Sequence, residues 1–562
     1  MQQTCANEWC KTSFEISDED LHFYDKISPV FNGKKYGIPP PTLCPDCRRQ
    51  RRLMYRNERN LYHRSCDLCH KQIVSIYPEA TPFPVYCNRC WWSDAWDPFS
   101  TGAAYDPRIP FLDQWIMLRD RTPQLAIQND NTAGSENCEY CYDFAFGKNC
   151  YLTNCTWHIE EAYYCTNCNF TKFMVDCQMT NHDCELCYEC IDCEKIYGCS
   201  YLQDSVNCMQ CTFGYDLKGC RNCFGCFGLR HKEYHIFNES FSPEDFAKRT
   251  EGLMMGSYAA TEHMKAEFAK WILQFPRQHA KMRQCENCRG NYIWNCKNVI
   301  GFDVFRSEEC RYVDWTQDAK YCYDVHATGK PEWCLDCVTP DSSFRVLFSN
   351  WCWQCSDILY SDNCHSSTHL LGCTGLKHKK HCILNMEYSP QEYEKIAAEI
   401  LEQLRRTNLW GNLFPLESSP FSYNETTAIE QYPLSKEEVL AKNWRWSDNL
   451  PFTTRTETMA LTEIPDLIEE CSDDILTAIL ACNTCARNYK IIAPEFSFYR
   501  KMRLPIPRLC PSCRYHERLA KRLPKKLWKR ECAKCKKEIE TSYQPSRPEI
   551  VYCEECYLAE VY

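Results

Sequence analysis

Two stretches of this chain, 466 positions apart, superpose without a gap, and both are punctuated by cysteine pairs. The first is "LCPDCRRQRRLMYRNERNLYHRSCDLCHKQIVSIYPEATPFPVYCNRC" and the second "LCPSCRYHERLAKRLPKKLWKRECAKCKKEIETSYQPSRPEIVYCEEC". Between residues 41–90 and 507–556, 21 of 50 positions are identical, and all six cysteines of each stretch coincide. Cys66-x2-Cys69 and Cys87-x2-Cys90 form one set of four, and Cys532-x2-Cys535 and Cys553-x2-Cys556 the other. Two close pairs brought together by a short hairpin are how a chain presents four thiolates in a tetrahedron, the arrangement structural zinc requires. Here the spacing predicts a hairpin from "KQIVSIY" and "VYC".

A further set precedes each of these: Cys5, Cys10, Cys44, Cys47 and Cys482, Cys485, Cys510, Cys513. A knuckle is followed by an expected hairpin (14–24, 489–499), then Cys-Pro-x-Cys with proline at a helix start. This order resembles a treble-clef finger. The expectation is zinc, at least four ions per chain.

The chain has 562 residues, 46 of them cysteine. That length supports several ordinary cores, so the cysteines are not rescuing a domain too small to fold. Disulfides in an oxidising compartment and metal ligation in a reducing one are the two explanations. "MQQTCANEWCKTSFEISDED" has no basic or apolar leader region, and no apolar run of membrane-spanning length occurs. The reading is a cytoplasmic metalloprotein.

The middle is duplicated at an offset of 147: "GLRHKEYHIFNESFSPEDFAK" (228–248) matches "GLKHKKHCILNMEYSPQEYEK" (375–395). Each copy ends in a helix start, Ser242-Pro243 and Ser389-Pro390, with Glu392 completing a capping box. The helices are expected to run to about residues 280 and 407. Within each copy cysteines recur on a beat of twelve, as at Cys208, Cys220 and at Cys310, Cys322, Cys334, among short strand-like runs. A fixed short repeat of this kind suggests stacked coils.

The fold class expected is therefore mostly β with short helices. Duplicated treble-clef and zinc-ribbon modules at both ends flank two tandem cysteine-rich β-solenoid-like repeats, each followed by a helix. The segments are 1–98, N-terminal double finger; 99–137, linker; 138–283 and 284–408, repeat units with their helices. An aromatic, proline-punctuated connector (409–477) and the C-terminal double finger (478–562) complete the chain. In the connector "SKEEVLAKN" and "IPDLIEECSDDILTAIL" read as helices.

The run "CELCYECIDC" (184–193) poses the sharpest chemical question. Bacterial ferredoxins use Cys-x2-Cys-x2-Cys-x3-Cys-Pro, but here Cys193 comes one residue early and Glu194 stands where proline would. No single pair is marked out as a redox dithiol. Two readings stay open for the central cysteines. They are small buryable thiols stacked from coil to coil, or extra zinc ligands. The candidates for additional metal are Cys138, Cys141, Cys165, Cys168, Cys184, Cys187, Cys208, Cys211, Cys220, Cys223, Cys285, Cys288, Cys334, Cys337, Cys352 and Cys355. His231, His235, His378 and His381 recur in both copies, and a local structural role is expected for them before a ligand role.

The motifs "FEISDEDLHFYDKI…PTLCPDCR", "VYCNRCWWSDAW", "CFGLRHKEYHIFN" and "PFSYNETTAIEQYPLSKEEVLAKNWRWSD" resemble a family of uncharacterised cysteine-rich zinc-finger proteins of candidate-phyla bacteria. The resemblance covers nearly the whole chain and implies no activity and no catalytic residues.

No nucleophile–base pair, phosphate loop or paired-carboxylate motif stands out, so no enzyme and no small-molecule substrate is expected. Net charge is −10, but residues 34–64 carry nine Lys/Arg against two acids, and 487–537 carry seventeen against three. Arg48, Arg52 and Arg56 recur as Arg514, Arg518 and Arg522, spaced four apart on a helix and so forming one stripe. The leading expectation is a zinc-stabilised scaffold whose basic terminal fingers meet nucleic acid, RNA or the ribosome. Its counterpart is that the stripes pair with the chain's own acidic middle. The alternative function is a protein–protein platform using the repeat surface and exposed Trp91, Trp92 and Trp96, with zinc purely structural. An iron–sulfur or thiol redox protein ranks below both.

Overall fold

The computed structural model describes residues 1–129, 134–312, 319–320, 323, 333, 335, 342–453 and 455–562. The chain is mostly β with short helices. It divides into two units that interleave in sequence: 1–126 with 280–450, and 127–279 with 451–562. Each unit therefore joins one double finger to one cysteine repeat, and the pairing is crossed. The N-terminal fingers share a unit with the second repeat, and the C-terminal fingers with the first.

The first repeat is a ten-stranded sheet in which strands from Glu136–Glu139 to Glu233–Ile236 run parallel, with Glu239–Ser240 added antiparallel at the end. Register partners lie twelve apart, as in Cys138↔Cys150, Cys187↔Cys199 and Gly214↔Cys226. Parallel bridges recur along two further lines, Asn154↔Thr166↔Gln178↔Ile191↔Gln203 and Asn181↔Glu194↔Val206↔Lys218↔Arg230. The beat slips to thirteen at Thr171↔Cys184, where His182 and Asp183 both adopt positive φ. In the second repeat it opens at eleven (Arg289↔Ile300) and settles at twelve (Phe344↔Ser356, Ser356↔Thr368).

An ordinary strand alternates faces with period two, which would send Cys184 and Cys187 to opposite sides. The backbone instead repeats every three residues. Leu186, Glu189, Asp192 and Lys195 have φ between 46° and 55°, and each directly precedes an inward residue: Cys187, Cys190, Cys193 and Ile196. The pattern continues through Cys199, Leu202, Ser205, Cys208 and Cys211, all buried. A left-handed residue costs free energy at each corner. The parallel ladder and the buried triplet positions offset it.

The helix starts match expectation. Ser242 caps Pro243–Glu251, and Ser389 with Glu392 forms a capping box on Pro390–Arg406. The first copy does not run unbroken to 280, because the helix stops at Gly252 and restarts as Tyr258–Trp271. Three other expectations are corrected. Residues 99–126 are not a linker: Phe111–Arg119 is a helix burying Phe111, Leu112, Trp115 and Leu118, and Gln124–Leu125 pairs with Val85–Tyr86. The connector is divided, since 450 and 451 belong to different units. "IPDLIEECSDDILTAIL" forms only the short 3-10 turns Ile468–Glu470 and Asp473–Leu476, whereas Lys436–Ala441 is helical as expected. Among the described residues no helix is long and apolar enough to cross a membrane.

Candidate metal centres and the arginine stripes

The hairpins that build the four centres lie elsewhere than the spacing suggested. Each brackets the first cysteine pair of its set: Gln2–Thr4 with Ser13–Glu15, Tyr62–Ser65 with Gln72–Ser75, Leu480–Ala481 with Asn488–Tyr489, and Trp528–Glu531 with Glu538–Thr541. The expected hairpins at 14–24 and 489–499 are largely helix, Asp18–Ile27 and Ala493–Met502. The second pair of each set opens a helix, with Cys44, Cys87, Cys510 and Cys553 as N-caps.

This geometry gathers all sixteen cysteines into four groups. They are Cys5, Cys10, Cys44, Cys47; Cys66, Cys69, Cys87, Cys90; Cys482, Cys485, Cys510, Cys513; and Cys532, Cys535, Cys553, Cys556. In each group the four Sγ atoms lie within 4.8 Å of one another. Their Sγ–Sγ separations include Cys10–Cys44 at 3.7 Å, Cys69–Cys87 at 3.9 Å, Cys485–Cys510 at 3.7 Å and Cys535–Cys553 at 3.7 Å. A tetrahedron with metal–sulfur bonds of about 2.3 Å has edges of about 3.8 Å, whereas a disulfide closes to about 2.05 Å. The sulfurs stand at metal-site spacing.

Backbone amides reinforce the thiolates in the same way each time. The N–H of the third cysteine donates to the Sγ of the first: Cys44 to Cys5 at 3.3 Å, Cys87 to Cys66 at 3.2 Å, Cys510 to Cys482 at 3.2 Å and Cys553 to Cys532 at 3.2 Å. At Cys532 burial raises the thiol, but amides of Cys535 and Cys553 outweigh it and bring it to about 6. Hydrogen bonding from Cys47 draws Cys44 down to about 5. Contacts of the same kind push other thiols of these sets up, Cys47 and Cys556 among them, so the sulfurs of a set share protons that a bound cation would displace.

The central cysteines occupy a different environment. Cys141, Cys165, Cys168, Cys184, Cys187, Cys208, Cys211, Cys220, Cys223, Cys352 and Cys355 are buried, and burial pushes Cys184 up to about 12. Their Sγ–H groups donate to backbone carbonyls two residues back and about nine ahead, as Cys208 does to Val206 at 3.4 Å and Leu217 at 3.6 Å. Among the described residues none of these thiols joins a group of three ligand atoms within 4.8 Å. Cys334 and Cys337 lie outside the described residues. For the described central cysteines the geometry fits the packed-thiol reading. Cys138, Cys285 and Cys288, on the first rung of each repeat, are only half-buried. In native protein iodoacetamide should reach these three before Cys187, Cys199 and Cys211, which should label only on unfolding. Equal labelling rates by mass spectrometry would contradict the inward packing. The recurring histidines join none of the four groups, and the His235 ring Nδ1 contacts the Glu233 carbonyl oxygen at 2.7 Å.

The arginine stripes are corrected most. Arg48, Arg52, Arg56, Arg514 and Arg518 are all at most 5% exposed, and the Arg522 side chain is nearly so. They are not a phosphate-facing surface. On Pro511–Lys521, Arg514 and Arg518 both bind Asp176, the latter at 2.7 Å, and Arg514 also reaches Glu495 at 3.2 Å. Arg522 pairs with Asp192 at 2.9 Å. Glu495 accepts from the Tyr164 and Tyr499 hydroxyls at 3.0 and 2.6 Å, so the buried charges sit in a hydrogen-bonded network. In the other unit Arg56 pairs with Glu58 at 2.8 Å and lies over Trp351, and Arg48 lies over Tyr312. Arg514 and Arg518 dock the helix Pro511–Lys521 on its repeat, with Arg522 just past the helix end, while Arg48 on Pro45–Leu53 and Arg56 beyond it meet aromatic rings of the other repeat. For Arg514, Arg518 and Arg522 this is the expected counterpart reading, pairing with the chain's own acidic middle; the particular carboxylates, Asp176 and Asp192, were not singled out because nothing local distinguishes them from other acids there.

The tryptophans are corrected too. Trp91 is fully buried and Trp92 and Trp96 are half-buried. Lys377 sits among the three rings, 4.8, 5.9 and 5.1 Å from their centroids, and donates to the Trp91 carbonyl.

Compared with known proteins, the chain matches no family model and no curated protein. A solved "putative acetyltransferase" from Desulfovibrio desulfuricans G20 is similar at 8% identity, with 49% of this chain and 81% of that chain covered and a TM-score of 0.11.

Proposed function

We propose that the protein is a zinc-stabilised, non-catalytic scaffold of the cytoplasm that binds nucleic acid, RNA foremost, through its C-terminal fingers. Its four ribbon and treble-clef centres each hold one zinc ion, and its two repeats are β-solenoids of twelve-residue coils. The observation that carries the scaffold reading is the sulfur spacing in four closed four-cysteine sets. Structural zinc takes four protein ligands, leaving no open position for substrate. An all-thiolate tetrahedron suits zinc or iron; sulfurs within 4.8 Å of one another fit a single ion. Solenoid coils are supported by parallel bridges along three lines at a common step.

The nucleic-acid reading rests on what remains basic once the stripes are set aside. Of seventeen Lys/Arg in 487–537, three arginines dock on the repeat, and 17 − 3 = 14 still outnumber the three acids. The full-length protein should bind a labelled single-stranded RNA of about 20 nucleotides at low salt, and weaken about tenfold or more between about 50 and 200 mM salt. No binding at 50 mM, or binding indifferent to salt, would remove this reading.

One observation favours docking of a protein instead. Phe146, His158, Phe170 and His182 stack along successive rungs at 4.6, 4.9 and 5.5 Å, with Phe146 53% and Phe170 43% exposed. Docking on that column would survive added salt.

A further inference from the structure

The two outer ribbons are duplicates in backbone as well as in sequence, and each serves as a control for the other. The register Tyr62↔Ser75, His63↔Val74, Arg64↔Ile73, Ser65↔Gln72 becomes Trp528↔Thr541, Lys529↔Glu540, Arg530↔Ile539, Glu531↔Glu538 on adding 466. The knuckle turns match as well. Cys66 N–H donates to the Lys71 carbonyl and Cys532 N–H to the Lys537 carbonyl, both at 2.9 Å. His70 and Lys536 take the same left-handed conformation, φ 56° and 65°. Each ribbon closes its own four-cysteine set.

What differs is charge. Residues 59–71 carry Arg59, Arg64 and Lys71 against Asp67, a balance of 3 − 1 = +2. Residues 525–537 carry seven Lys/Arg against Glu531, a balance of 7 − 1 = +6. Asn60, His63, Leu68 and His70 are replaced by Lys526, Lys529, Lys534 and Lys536, and Asp67 by Ala533. All four lysines are exposed, as is Lys537. Lys529 and Lys534 reach only exposed acids, Glu538 at 3.2 Å and Glu560 at 3.0 Å, and such pairs exchange readily with other anions.

A zinc tetrathiolate carries a net charge of −2, and nearby lysines could serve merely to balance it. The N-terminal ribbon answers this, since it builds the same knuckle, register and thiolate set without them. The four lysines are therefore surplus to fold and metal. We propose that the knuckle of the last finger, Lys526, Lys529, Lys534, Lys536 and Lys537, is the phosphate-binding surface for a single-stranded nucleic acid. Trp528, half-buried with Lys526 over its ring at 5.6 Å, sets an aromatic side chain among these lysines, a combination single-strand binders use. This rests on the nucleic-acid reading above and names its site.

The test uses the full chain and a graft. Lys526→Asn, Lys529→His, Lys534→Leu and Lys536→His give the last ribbon the residues its duplicate already carries, so the variant keeps a sequence compatible with this backbone. Zinc content and thermal unfolding are measured alongside. With an oligonucleotide of about 20 uridines at about 50 mM salt, the graft should weaken binding at least about tenfold and lower the slope of log affinity against log salt by about 3. Arg48→Gln, which touches the other unit, should leave binding unchanged. If the wild type binds RNA and the folded graft binds equally, the site lies elsewhere and the inference fails while the general reading stands. If the wild type binds no RNA, both fail. If poly-glutamate competes as well as RNA at equal charge, the surface is a general anion patch and the nucleic-acid assignment is overturned.

Discussion

Replacing Asp176 by alanine should destabilise the unit formed by residues 127–279 and 451–562 by about 3–5 kcal/mol, the range for breaking a buried ion pair by removing one partner. Asp176 is buried and is the shared carboxylate of Arg514 and Arg518. Its loss leaves two guanidiniums out of water with one fewer counter-charge, and Glu495 reaches only Arg514. The magnitude reflects uncompensated charge rather than the net worth of the pair. A combined Asp176→Leu, Glu495→Gln, Arg514→Met, Arg518→Met variant, which removes all four charges of the network together, should therefore recover much of the loss. Glu538→Ala, breaking the exposed pair with Lys529, should do almost nothing. Urea unfolding followed by hydrogen exchange in 164–192 and 511–521 measures this. A change below about 1 kcal/mol for Asp176→Ala would mean that the finger helix is not anchored through its arginines.

The second large effect concerns the metal ligands. Cys553→Ser with Cys556→Ser should cost one zinc ion per chain and unfold the last ribbon, because in such modules binding energy is folding energy, about 10–16 kcal/mol for structural zinc. Beyond its metal set the segment has a small core and a short edge on the repeat, where the Thr541 hydroxyl donates to the His279 carbonyl at 2.7 Å. Its hairpin is four residues a side, Trp528–Glu531 with Glu538–Thr541, and its buried cluster is Cys532, Ile539, Tyr543, Val551 and Cys553. Amides of 528–541 should lose exchange protection, and so should the pairing of Val551–Tyr552 with Arg277–Gln278. A serine at Cys211 offers the contrast. It keeps a donor to the carbonyls that the thiol already meets at 3.3 and 3.6 Å, so the metal count should stay constant. Retained protection in the double variant would show that the ribbon folds without its ion.

The four-cysteine sets were legible in the sequence because ligand chemistry dictates spacing. Four thiolates on one ion must arrive as close pairs, and the duplication repeated the message at both ends. The repeat was legible as a beat of twelve, and "CELCYECIDC" displays its inner step of three, but the backbone that carries that step was not legible, since left-handed φ falls at residues as unlike as Leu186, Glu189, Asp192 and Lys195. No propensity argument marks such positions. The arginine stripes show the opposite failure. Their spacing correctly placed Arg514 and Arg518 on one helix face, with Arg522 falling just past the helix end in extended backbone, yet a basic helix face looks the same in sequence whether phosphate or a buried carboxylate meets it. What decides is the partner segment more than 300 residues away, and pairing across that distance leaves no local trace. The crossed pairing of fingers with repeats inside each unit was hidden for the same reason.

Metal content tests the central claim most directly. Protein purified without added metal, with its concentration fixed by amino-acid analysis, should contain four zinc ions per chain, one for each closed four-cysteine set, and show no visible iron–sulfur absorption. Fewer than three zinc ions, or stoichiometric iron with acid-labile sulfide, would contradict it.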